Sequence, residues 1–194
     1  MFNKSFFYIL LKKFLTFYCY SNLKNLYKMI KNISLKQFVS IVFDQTDSEL
    51  NQSNKWPLFI DANERGSAFL RHRDTVYVNC LDKRRLEKES LRLSIIGAIF
   101  YNKPLVIDIM DNLNLLDVFK TACDEIDSKL WEELNNKSIL KDESFFRLVK
   151  PNDGDSFENY KYVDTGKFIT VYLISKIDPS ADLANSYCIY SIDN

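Results

Sequence analysis

From Ser34 onward, short apolar runs alternate with longer stretches of helical period. Pro57-Leu58-Phe59-Ile60 is closed by Asp61, and Pro104-Leu105-Val106-Ile107 repeats the pattern and is closed by Asp108. Runs of this length, bounded by proline and an acid, predict strands buried on both faces. Val76–Cys80, the β-rich Phe168–Ile174 and Tyr187–Ile192 predict three more. Between them, Leu35, Phe38, Val39, Val42 and Phe43 fall on one helical face behind Ser34, a suitable N-cap. A short helix is expected over Glu64–Arg71. A longer one over Leu86–Asn102 turns Leu91, Ile95, Ile96, Ala98 and Ile99 inward, and Leu115–Ile126 does the same with Leu116, Phe119, Ala122 and Cys123. The polar stretch Asp44–Lys55 reads as a connection. Strands alternating with helices predict an α/β domain, its mostly parallel sheet covered by helices on both faces.

Residues Met1–Tyr27 do not follow this pattern. They are largely Phe, Tyr, Leu, Lys and Asn, and the run Phe6–Leu11 is stopped by Lys12 and Lys13 with no small-residue cleavage site after it, which argues against a signal peptide. No stretch reaches the roughly 18 apolar residues of a membrane span. Before Asp44 stand Lys4, Lys12, Lys13, Lys24, Lys28, Lys31 and Lys36, with no acid. Two readings stay open. The segment is a disordered extension or lies outside the native domain, with Met29 as a later start and AT-rich codons behind its composition. Alternatively it is a basic aromatic helix for a membrane surface or calmodulin. The expected organisation is an extension over 1–33 and a domain over 34–194.

Composition narrows the classes further. With 46% hydrophobic and 27% charged residues in 194, the chain can bury a core without metals or disulfides. Its 26 basic and 26 acidic side chains leave no net charge to draw nucleic acid. Cys19, Cys80, Cys123 and Cys188 form no C-x-x-C pair, and His72 is the single histidine, which excludes the common zinc spacings. Scattered cysteines are expected as reduced core residues in a cytoplasmic protein. Arg71-His72-Arg73 and Lys83-Arg84-Arg85 are flanked by Asp74, Asp82 and Glu87, so a solvated surface is favoured over nucleic-acid contact. Asp61, Ser67 and His72 lack the G-x-S-x-G elbow of a hydrolase.

Chemistry in an open parallel sheet belongs beyond the carboxyl ends of the strands. Three such places carry polar groups: Asp61 onward, Asp108 onward, and Ser175-Lys176. Asp61-Ala62-Asn63-Glu64-Arg65-Gly66-Ser67-Ala68 lies where a phosphate loop, G-x-x-x-x-G-K-[ST], would stand. Gly66 fits. Ser67 replaces the lysine that reaches the phosphates, Ala68 replaces the magnesium hydroxyl, and Glu64 adds negative charge. Leu105–Asp108 has the outline of a Walker B strand, but Ile109 follows where hydrolysis wants a second carboxylate. These substitutions should cripple phosphoryl transfer. Filling of the loop by a side chain such as Arg65 would mark it as a closed turn.

Trp56-Pro57-Leu58-Phe59-Ile60-Asp61 resembles the signature that opens the fifth AAA module of dynein heavy chains. Ala98-Ile99, Lys103–Ile107 and Phe168 through Ser175-Lys176 follow in that module's order. The sequence is more similar still to the C-terminal dynein-like domain of IQ-motif and ankyrin-repeat domain-containing proteins. That resemblance extends over Phe69-Leu70-Arg71, Asp74-Thr75, Tyr77-Val78, Gly97-Ala98-Ile99 and Arg147 through Gly154, and covers roughly Ser34 to Ile192. It implies an AAA+-like, P-loop NTPase-type fold with no hydrolytic role at this site. Ala62 departs from the proline usual in dynein modules, and Asn63-Glu64-Arg65 from the glutamine-rich turn. No I-Q-x-x-x-R-G run or ankyrin repeat is present, so the chain is expected as a fragment or truncated relative, and the family's calmodulin binding is not carried over to it.

The expected function is therefore a non-catalytic interaction or scaffold module on a degenerate AAA+ core. The alternative is a nucleotide sensor that binds ATP or ADP without turnover. No cofactor, metal or catalytic residue is expected, and Asp61, Gly66, Ser67, Ala68, Asp108, Ser175 and Lys176 are the vestigial pocket positions. The partner expected is another protein, with the cytoskeleton as the place to look.

Overall fold

The computed structural model describes residues 30–154, 157, 163–176, 183 and 185–193. The readings made of Met1–Tyr27, of Met29 and of Cys19 lie outside the described residues. The expected boundary at Ser34 needs correction: Lys31–Ile33 forms β1 and pairs in parallel with the last strand, Ile33 against Ile192. Only Ile33 of its three residues is buried, so the segment carries no strand pattern of its own and takes its conformation from its neighbour.

Ser34 caps α1 (Leu35–Val39) as expected, in a reciprocal capping box with Gln37. A π-helical turn, Ser40–Asp44, then diverts the chain and is closed by Gln45 in the left-handed region. The presumed connection contains α2 (Ser48–Gln52), capped by Asp47; with Leu50 its single buried residue, it shows no periodicity to read. There follow β2 (Trp56–Ile60), α3 (Arg65–Arg71), β3 (Val76–Asn79), α4 (Lys83–Leu86), α5 (Lys88–Phe100), β4 (Leu105–Asp108), α6 (Asn114–Ile126), α7 (Leu130–Asn135), a 3-10 region over Ser138–Leu148, β5 (Thr170–Ile174) and β6 (Tyr187–Ile192). The helix expected over Leu86–Asn102 is α5, within those bounds, and α4, α7 and the 3-10 region are additional to the expected elements.

The six strands form one sheet, all parallel, in the order β1-β6-β2-β5-β4-β3. Every residue of β4 and β5 is buried, so both faces of the pleat are covered. Two contacts identify the covers. Trp56 Nε1 donates to the Leu134 carbonyl of α7 at 2.7 Å. Phe59, on the opposite face, takes the edge of Phe38 of α1 with ring centroids 4.7 Å apart. Helices therefore lie on both faces, as the sequence predicts.

A buried ion pair ties the segment after the 3-10 region to the sheet's cover. Arg92 of α5 donates to both carboxylate oxygens of Asp153 at 2.6 Å and to the Leu148 carbonyl at 2.7 Å. Beside it, Phe100 meets Phe145, Phe146 and Phe157 edge-on. Among the described residues no helix is long and apolar enough to cross a membrane. Cys80 and Cys123 are buried free thiols and Cys188 is a half-buried one.

Candidate functional site

Because β5 lies between β2 and β4, the three strand ends singled out by their polar residues stand side by side. Asp61 N donates to the Ile174 carbonyl at 2.8 Å, and Ser175 N donates to the Met110 carbonyl at 2.6 Å. The loops after β2, β5 and β4 are thereby stitched together. Asp61, Ser67, Asp108 and Ser175 line one small recess, with Glu64, Arg71 and Met110. Ala68 and Lys176 are exposed and do not join it.

The turn from β2 into α3 is closed by its own acid. Asp61 Oδ1 accepts the Gly66 amide at 3.1 Å, and Oδ2 accepts the Ser67 amide at 2.7 Å. The first amides of a helix are where an anion such as phosphate would sit, and here a carboxylate from the same chain occupies them. Asp61 is 4% exposed. Arg65, the side chain considered for this role from the sequence, is exposed instead. Asp61 wins because it leaves β2 directly beneath the helix's first turn, whereas Arg65 is the helix's first residue and points away. Glu64 takes a left-handed conformation (φ 54°), and its carbonyl accepts from Ser67 Oγ and from Ala68 N.

Gly66 also has a different reason from the one a phosphate loop would give. A Cβ there would stand 2.8 Å from Ile192 Cδ1, 3.2 Å from Phe38 Cζ and 3.3 Å from Asp61 Oδ2. The missing side chain lets α3 approach β6 and α1; the glycine serves packing.

At the second strand end, Asp108 is 3% exposed and fully engaged. Oδ1 accepts from Met110 N at 3.0 Å, while Oδ2 accepts from Tyr77 Oη at 2.5 Å and Arg71 Nη2 at 3.2 Å. The Arg71 guanidinium lies 5.3 Å from the centre of the Tyr77 ring. Burial, aided by the charge of Asp108, pushes the Tyr77 hydroxyl well above its ordinary pKa, so it remains a donor. Tyr77 and Asp108 together hold Arg71 above its ordinary value. A guanidinium thus meets the acid at the carboxyl end of β4. Burial raises the nearby Cys80 thiol to about 12, leaving it an unreactive thiol.

The recess between these groups has no room for a water molecule. No family model matches the chain, and no solved structure matches it.

Arg71 and Tyr77 are the residues of this site that the sequence did not single out. Arg71 is exposed, as the sequence predicts for Arg71-His72-Arg73, yet its guanidinium reaches back to Asp108, while Arg73 lies 4.6 Å over the Phe69 ring. Ser67 Oγ is committed to Glu64, and His72 caps the end of α3, so neither is arranged as a hydrolytic pair. The exposed Arg84 pairs with Asp82. Among the described residues no three metal-ligating side chains converge.

Proposed function

We propose that this chain is a non-catalytic protein-interaction or scaffold module on a degenerate AAA+-like core, related to the dynein-like domain it resembles. The observation that carries this reading is the Asp61 carboxylate seated on the amides of Gly66 and Ser67. A carboxylate there repels the phosphate that those amides would otherwise attract. The Arg71–Asp108 pair supports the same reading, since it neutralises the acid that would hold magnesium. With the lysine and hydroxyl of the loop also missing, the chain's own groups stand in for the nucleotide's anion and cation.

Partner binding then falls to the outer surfaces, and the resemblance makes a cytoskeletal protein in the cytoplasm the first partner class to try. Calorimetric titration with magnesium-ATP and with ADP tests the reading. Absence of heat at millimolar ligand is expected. Saturable heat would replace it with the sensor reading, and turnover abolished by Asp108→Asn would make the chain an enzyme.

A further inference from the structure

The opposite, amino-terminal pole of the sheet holds a cavity of about 280 Å³ at the starts of β2 and β5. Trp56 and Phe168 form its apolar wall, and Gln45, Asn51, Thr165 and Lys137 bring polar side chains to it. A cavity of this volume suits one small organic molecule.

Lys137 is the unusual member. It follows α7 in the left-handed region (φ 65°), a position where helices ordinarily end on glycine or asparagine. Its side chain does not leave for solvent. Nζ lies 4.4 Å from the centre of the Trp56 ring and donates to the Ser53 carbonyl at 3.0 Å. Among the described residues no carboxylate pairs with it. Burial accordingly pulls its pKa below the usual lysine value. A half-buried ammonium is normally matched by an acid. Here a strained backbone and an unmatched cation coincide at one cavity, the combination expected where a ligand supplies the missing charge.

We propose that this cavity binds a small organic monocarboxylate, its acid group on Lys137 and its apolar body toward Trp56 and Phe168. One ammonium, with amide and hydroxyl side chains around it and no arginine fork, matches a single carboxylate better than a phosphate. The site is independent of the strand-end recess at the other pole.

Trp56 and Trp131 are the only tryptophans, so Trp131→Phe leaves Trp56 as the sole indole reporter. In that background, sodium benzoate titrated at constant ionic strength should change Trp56 fluorescence saturably, and neutral benzamide should not. Lys137→Met should weaken the benzoate response roughly tenfold or more, while Lys137→Arg, which keeps the cation, should retain it. A response that never saturates, that benzamide reproduces, or that survives Lys137→Met overturns the proposal. Should Lys137→Met not fold, the benzamide comparison and Lys137→Arg still decide.

Discussion

Asp61 Oδ1 accepts the amide hydrogen of Gly66 at 3.1 Å, and its other oxygen lies 3.3 Å from where a Cβ on Gly66 would stand. Residues five apart are thus locked together by one charge-assisted bond and by the absence of a side chain. The first helical turn of α3 depends on both.

Removing the carboxylate strips two buried amides of their acceptor. Asp61→Ala should cost about 1–2 kcal/mol in urea unfolding. Asp61→Asn, which keeps one acceptor oxygen, should lose less. Equal stability of all three proteins would show that the carboxylate does not hold the turn.

Gly66→Ala places a methyl group against Ile192 Cδ1 at 2.8 Å. Overpacking of this kind costs roughly 1–3 kcal/mol. Ile192→Val removes that Cδ1 and should recover part of the loss in the double variant. A double-mutant cycle with no coupling would mean that the contact with Ile192 is not the cause.

Asp108 relies on Arg71 for charge and on Tyr77 for a short hydrogen bond. Arg71→Met should destabilise by about 1–3 kcal/mol, because a buried carboxylate loses a charged donor. Adding Asp108→Asn should remove most of that penalty, as measured by chemical denaturation. Full additivity of the two changes would show that the pair is not coupled.

The Arg92–Asp153 pair makes a pH prediction. Arg92 holds Asp153 at about 2, against an ordinary value of 3.8. A depressed folded-state pKa stabilises above the unfolded value, and that stabilisation is lost as pH falls through the folded one. Stability should therefore drop between about pH 4 and pH 2, with a shallower drop in Asp153→Asn. At neutral pH that variant should be weaker by about 1–3 kcal/mol, because the buried guanidinium loses one of its two carboxylates and keeps only Glu89, at 2.8 Å.

The alternation of buried runs with helical periods made the parallel sheet legible, and Tyr187–Ile192 falls where it was read. Local signals also located the N-cap at Ser34. Of the parts that escaped, three did so for identifiable reasons. Lys31–Ile33 borrows its conformation from β6 and carries no alternation. Ser48–Gln52 and Ser138–Leu148 are too short or too broken, the latter at Lys141–Glu143, to show a period. At the candidate site, the positions of Asp61, Gly66, Ser67, Asp108 and Ser175 follow from the strand ends, but what each does there did not. That Asp61 turns back onto the helix, and that Arg71 turns in to Asp108, depends on side-chain direction across separate elements. The cavity beside Lys137 lies at the amino ends of β2 and β5, whereas strand order in an open parallel sheet marks only the carboxyl ends as ligand sites.

A site filled from within does not answer to concentration. A domain that binds nucleotide gains stability as the logarithm of ligand over its dissociation constant, so its shape and lifetime follow the energy state of the cell. The Asp61 carboxylate is tethered five and six residues from its two amides and is present at an effective concentration that free metabolites rarely match. The turn it closes should keep one conformation in fed and starved cells alike. Whatever surface α3 helps to build would then be offered constantly, with its timing set by expression and partner supply.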